Sequence, residues 1–156
     1  MYNINNLFLE IQEKKNDSVL QVLDELGINA VDNFGRTAVM NAAFYNNTEL
    51  LGMLIEKKAD LDLKDKNGYT ALHFSAQEAH TGVTDMLLQH GANPDITDKH
   101  GNTPAWVAIA NWKAGKNLET LKSLVKHKAD LTIKNDAGRA AFDLIPPAIK
   151  TQLGIE

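Results

Sequence analysis

A period of 33 residues runs through the chain, and it constrains the fold more than any other feature. Asp32, Asp65 and Asp98 are 33 apart, as are Gly35, Gly68 and Gly101, and Thr37, Thr70 and Thr103. Aligning 32–64 with 65–97 gives ten identities, among them Ala38/Ala71, Ala43/Ala76, Leu54/Leu87 and Ala59/Ala92. A chain that repeats at this length stacks one supersecondary unit on the next, because a single unit cannot bury its apolar face alone.

The pattern within one unit dictates its local structure. In Asp-x-x-Gly-x-Thr the Asp side chain bonds nearby backbone and the Gly accepts a positive φ, which together make a turn. The Thr follows where a helix N-cap belongs, and Pro104 after Thr103 occupies the first helical position, where a missing N–H costs nothing. A short helix rich in small residues comes next (Ala42-Ala43, Ser75-Ala76, Ala108-Ile109), and small residues allow close helix approach. A second helix carries Leu50, Leu51, Met53 and Leu54 in one unit and Val83, Met86, Leu87 and Leu88 in the next. Gly91 suits the left-handed cap after that helix, whereas Lys58 and Lys128 at the same position should weaken theirs.

The segment Asp65-Lys66-Asn67-Gly68-Tyr69-Thr70-Ala71-Leu72-His73-Phe74-Ser75-Ala76 resembles the turn and Thr-Pro-Leu-His-x-Ala signature of the ankyrin-repeat family. Met86 to Asn93 is similar to that family's second-helix ending, and the resemblance covers roughly residues 30–145. It departs at Ala38-Val39-Met40 in one unit, and Trp106 stands at the His position of another. The resemblance implies an all-α solenoid of helix-turn-helix units with short hairpin-like loops, four to five repeats including caps. One domain over 1–156 is expected: an N-terminal capping helix pair in 1–31, repeats at 32–64, 65–97 and 98–134, and a C-terminal cap in 135–156. The cap would hold a partial fifth unit from Gly138, a stop at Pro146-Pro147 and a short tail helix through Ile149 and Leu153. Gly101 to Gly138 is 37 residues rather than 33, so four extra residues are expected within Asn111–Asn117, between the two helices of that unit.

Chemistry is conspicuous by what the chain lacks. It has no cysteine, no phosphate-binding glycine loop, no nucleophile elbow and no His-Glu-x-x-His spacing. The family resemblance implies that His73 ties adjacent repeats by hydrogen bonds and that His80 matches a Gly-His position, so neither is read as a metal ligand. Asp60, Asp62 and Asp65 beside Gly68 do not have calcium-loop spacing, which would need a first ligand at Leu63. Catalytic residues, metal and cofactors are therefore expected to be none, and the chain is expected not to be an enzyme. Composition is that of a globular chain, 44% hydrophobic and 23% charged. The start Met1–Asn6 carries no signal pattern and the apolar runs are short, so a cytoplasmic protein off the membrane is expected.

Charge is uneven. Residues 1–112 carry 8 Lys and Arg against 15 Asp and Glu, a net −7, whereas 113–156 carry 8 against 5, a net +3. The acidic part repels a phosphate backbone, arguing against nucleic acid; it reads as plain surface solvation or, more sharply, as a surface that steers a basic protein partner. The family resemblance implies binding to a protein, by a chain monomeric when free, through a concave groove lined by hairpin tips and the exposed side of each first helix. Carried over by position, the tips contribute Phe34, Arg36, Lys66, Asn67, Tyr69, Lys99, His100 and Asn102. The helix ends and inserted loop contribute Phe44, Tyr45, Gln77, Glu78, Asn111, Trp112 and Lys113. Phe34, Phe44, Tyr45 and Tyr69 fall where the family leaves side chains facing solvent. The role implied is adaptor or scaffold; the alternative is an immunity protein that neutralises a toxin or other enzyme.

Overall fold

The computed structural model describes residues 3–112 and 115–155. Among these lie ten α-helices, a 3-10 turn at Ile4–Asn6, an isolated bridge from Lys134 to Ala140, and no strand. The helices pair along the chain: α1 (Leu7–Gln12) with α2 (Asn16–Leu26), α3 (Ala38–Phe44) with α4 (Thr48–Glu56), α5 (Ala71–Glu78) with α6 (Thr81–Gln89), and α7 (Pro104–Ala110) with α8 (Asn117–Lys126). The short α9 (Ala141–Leu144) and α10 (Pro147–Leu153) close the stack. First helices α1, α3, α5, α7 and α9 pack in succession as one row, and α4, α6 and α8 as another.

Packing explains the residue choice. Ala42, Ala43, Ala76, Ala105 and Ala108 are fully buried between first helices, where a larger side chain would hold neighbours apart. Leu50, Leu51, Leu54, Val83, Leu87, Leu121 and Leu124 fill the space between the rows.

The hairpin tips stack by backbone. The amide of Lys66 donates to the Phe34 carbonyl at 3.0 Å, Lys99 to Asn67 at 3.0 Å and Asp136 to His100 at 2.9 Å. Gly68 adopts φ +79°, and a Cβ there would lie 2.7 Å from the Lys99 amide nitrogen, so glycine serves both the turn and the approach.

Polar side chains tie unit to unit. His73 is fully buried; its Nδ1 accepts from the Thr70 amide at 3.1 Å, which leaves Nε2 to donate to the Asn102 carbonyl at 3.0 Å. Burial pushes the His73 pKa down, which keeps the ring neutral. Trp106 stands at the equivalent place one unit on, and its buried Nε1 finds no acceptor among the described residues. A second tie escaped the sequence reading. Asn47 Nδ2 donates to the Ile11 carbonyl at 3.1 Å, His80 Nδ1 to Ala43 at 3.0 Å and Asn117 Nδ2 to Ala76 at 2.9 Å. These pairs span 36, 37 and 41 residues, so the four extra residues fall before Asn117, between α7 and α8.

The insertion ends before Asn117, the buried first residue of α8, held there by its bond across the units. Trp112 is half-buried against the core. The positions after the second helices behave alike whatever their residue: Lys58, Gly91 and Lys128 have φ of +63°, +87° and +62°. The unit imposes the left-handed turn on lysine as on glycine.

Candidate partner-binding groove

The first three tips are built on aspartates, Asp32, Asp65 and Asp98, and the fourth on Asn135. Oδ1 of Asp65 accepts the amides of Asn67 and Tyr69 at 2.8 and 2.9 Å, and Oδ1 of Asp98 accepts those of His100 and Asn102 at the same two distances. The turn thereby fixes where the side chains of residues 67, 69, 100 and 102 emerge. Asp98 Oδ2 also accepts Asn102 Nδ2 at 3.1 Å.

Between these tips and the ends of α3 and α5 lies a groove of ≈ 460 Å³. Arg36, Asn67 and Tyr69 contribute from two tips, Lys99, His100 and Asn102 from the next, and Phe44, Phe74 and Gln77 from the helices, with Asp65 and Asp98 on the floor. A smaller cavity of ≈ 130 Å³ adjoins it, lined by Phe8, Asp32, Phe34, Arg36, Asn41 and Tyr45. Arg36 lines both.

Aromatic rings form the groove's apolar wall. Phe44 meets Tyr45 and Phe74 edge-on, at ring separations of 5.0 and 6.0 Å. Tyr69 stacks on His73 at 4.9 Å and meets Phe74 at 5.3 Å. These contacts leave Phe44, Tyr45 and Tyr69 half-buried, against the expectation that they face solvent; Phe34, 64% exposed, is the one that does. Burial, with the carboxylates of Asp98 and Asp65 close by, raises the Tyr69 pKa, so the phenol stays protonated at neutral pH. The Arg36 guanidinium lies over both Phe34 and Phe74, its carbon 5.5 and 5.0 Å from the ring centres.

The structure thus brings together Arg36, Phe44, Asn67, Tyr69, Gln77, Lys99, His100 and Asn102 of the predicted set, and places Phe34 and Tyr45 in the adjoining cavity. Lys66 is exposed at a tip but lines neither cavity. Glu78 accepts from Gln77 Nε2 at 3.0 Å, and Asn111 Nδ2 bonds the Val107 carbonyl at 3.0 Å, capping its own helix. Asn102 is buried, bonded to Asp98 and, through Oδ1, to Asn135 Nδ2 at 2.8 Å, so its amide serves the fold. Trp112 lines neither cavity, and Lys113 lies outside the described residues. Asp32, Asp65, Asp98, Asn41, Phe74 and Phe8 line the cavities without having been predicted to. The 33-residue repeat of the aspartates marks them as turn residues and hides their second position on a groove floor.

Among the described residues, no group of three or more His, Asp or Glu side chains is arranged to hold a metal ion. No helix there is long and apolar enough to cross a membrane.

A search of curated proteins finds no match to this chain. A family model describing ankyrin repeats in three copies matches residues 7–98 and again 54–135. Such repeats generally mediate protein–protein interaction and are typically not enzymes. Matched over most of its length and built as stacked helix pairs with hydrogen-bonded tips, the chain belongs to the ankyrin-repeat family.

Proposed function

We propose that this chain is a protein-binding module, an adaptor or scaffold, and that its partner sits in the groove between the hairpin tips and the first helices. The observation carrying this reading is that the groove's wall and rim are furnished with side chains the repeat does not need. The side chains of Tyr69, Phe44 and His100 make none of the hydrogen bonds that tie unit to unit. Rigid aromatics beside an arginine are the composition of interface hot spots. The net −7 of residues 1–112 supports a protein over a phosphate backbone.

The test is capture from the source cells with the tagged chain, against two variants. One changes Phe34, Lys99 and His100 to Ala, all exposed at the tips; the other changes the exposed Glu56 and Gln89 at the ends of the second helices. One stoichiometric partner, lost with the first variant and kept with the second, is expected. Retention by the first and loss from the second would move the site off the groove. Assaying the captured partner then separates roles: an enzyme silenced at one-to-one ratio would make the chain an inhibitor, as the immunity reading requires.

A further inference from the structure

The groove has more to say about what it holds. The Arg36 side chain makes no hydrogen bond to any described residue: its Nε is buried without an acceptor, and its ion pair with Asp65 is a loose one, Nε to Oδ2 at 3.8 Å. A buried donor left unpaired is uncommon in folded proteins and costs free energy until an acceptor arrives. Phe34 and Phe74 meanwhile hold the guanidinium by its charge, its carbon 5.5 and 5.0 Å from the ring centres, contacts that use none of its N–H groups in a hydrogen bond to a described residue. Its side chain remains 35% exposed, so an incoming group can reach it.

The rest of the groove has the same polarity. The Tyr69 hydroxyl and the His100 ring donate to no described residue, and Lys99 uses one bond, to Asn67 Oδ1 at 2.9 Å. The carboxylates are largely spent: Oδ1 of Asp65 and of Asp98 each take two amides, and Asp98 Oδ2 takes Asn102, which leaves Asp65 Oδ2, 3.8 Å from Arg36 Nε, as the one carboxylate oxygen without a hydrogen bond among these two residues. Formal charge within the groove balances, Arg36 and Lys99 against Asp65 and Asp98. Unused donors rather than net charge therefore set the preference. Apolar wall lies on both sides of Arg36, Phe44 and Phe74 in one cavity and Phe8 and Phe34 in the other.

We propose that the occupant is an acidic-apolar segment of a partner protein, whose Asp or Glu carboxylate takes the unused guanidinium fork of Arg36 while flanking apolar side chains enter the two cavities. A carboxylate matches the planar fork with two parallel bonds, which a lysine or an amide cannot do. This proposal rests on the groove being the binding face, and it sharpens the expectation of a basic partner: the acidic surface of residues 1–112 can steer a basic protein, but the residue gripped at Arg36 is an acid.

Three capped peptides test it: Ac-Phe-Glu-Leu-NH2 and its Gln and Lys counterparts, titrated into the nitrogen-15-labelled full chain. The Arg36 Nε–Hε resonance and the amides of Asn67 and Tyr69 are followed. The Glu peptide is expected to shift all three and bind about tenfold tighter than the Gln peptide, as a charged acceptor on a desolvated arginine should. Arg36→Gln is expected to erase the Glu preference, and Arg36→Lys, which keeps the charge but not the fork, to retain part of it. Equal affinities, a preference for Lys, or no shift at Arg36 would overturn the acid anchor while leaving the groove reading to the capture experiment. Shifts confined to another surface would overturn both.

Discussion

Replacing Gly68 by Ala should be the most damaging methyl addition in the chain, and the structure supplies its own control. Gly68 and Gly138 share nearly the same backbone, φ +79° and +71°. Alanine in this region costs about 1–2 kcal/mol in strain, of which about 0.5–1 kcal/mol returns because the unfolded chain loses glycine's freedom. A methyl at Gly138 would meet nothing within 4 Å, so Gly138→Ala should lose about 0.5–1 kcal/mol and no more. A methyl at Gly68 would lie 2.7 Å from the Lys99 amide nitrogen and 2.9 Å from Asp98 Cα and carbonyl carbon, all backbone. The next tip must move away, lengthening the 3.0 Å bond from the Lys99 amide to the Asn67 carbonyl. Overpacking of this kind adds about 1–3 kcal/mol, and the weakened bond about 1 kcal/mol. Gly68→Ala should therefore lose about 3–4 kcal/mol, with Gly101→Ala and Gly35→Ala between, since their closest approaches are 3.0 and 3.1 Å. Urea unfolding followed by far-ultraviolet circular dichroism measures all four. Equal losses for Gly68→Ala and Gly138→Ala would refute the claim that tip-to-tip contact, beyond turn conformation, fixes these glycines.

Three further outcomes are expected. Lys58→Gly should stabilise the fold by about 0.5–1 kcal/mol, because the lysine sits at φ +63° and glycine removes more strain than it costs in unfolded-state entropy; a lower urea midpoint would contradict this. Asn117→Ala should lose about 1–3 kcal/mol by leaving the buried Ala76 carbonyl without its 2.9 Å partner, and an unchanged midpoint would show that the cross-unit tie is idle. His73 has a folded pKa below the ordinary 6.5, so as pH falls through that value the unfolded chain takes a proton that the buried ring refuses. Its contribution is whole above pH 6.5, declines as the pH falls toward the folded value and then levels off; His73→Gln should flatten that part of the stability curve, whatever it costs at neutral pH.

The sequence exposes the scaffold and conceals the groove, and the reason is periodicity. A residue that holds unit to unit must recur in every unit, so Asp65, Gly68 and Thr70 announce themselves by spacing. The cross-unit ladder stayed hidden because its members are Asn47, His80 and Asn117: the function recurs at one place, but two residue types serve it and the last is displaced by four. Groove residues need not recur at all. Phe34, Asn67 and His100 occupy one position in three successive tips and share no chemistry. Their placement is legible from the repeat, but their contacts are not, because each depends on a neighbouring unit whose residues differ. Arg36 is the clearest instance. Its position says only that it lies at a tip; that its cation rests on Phe34 from its own tip and Phe74 from the following unit, with its nitrogens left over, emerges only when the units are stacked. Tyr69 and Asn102 occupy the same position in the following tips, and their side chains are engaged differently, Tyr69 against His73 and Asn102 with Asp98 and Asn135. A repeat that makes every tip alike in backbone thus leaves one arginine with its hydrogen bonds unspent, and that asymmetry sets where along the groove a partner's acceptor should lie.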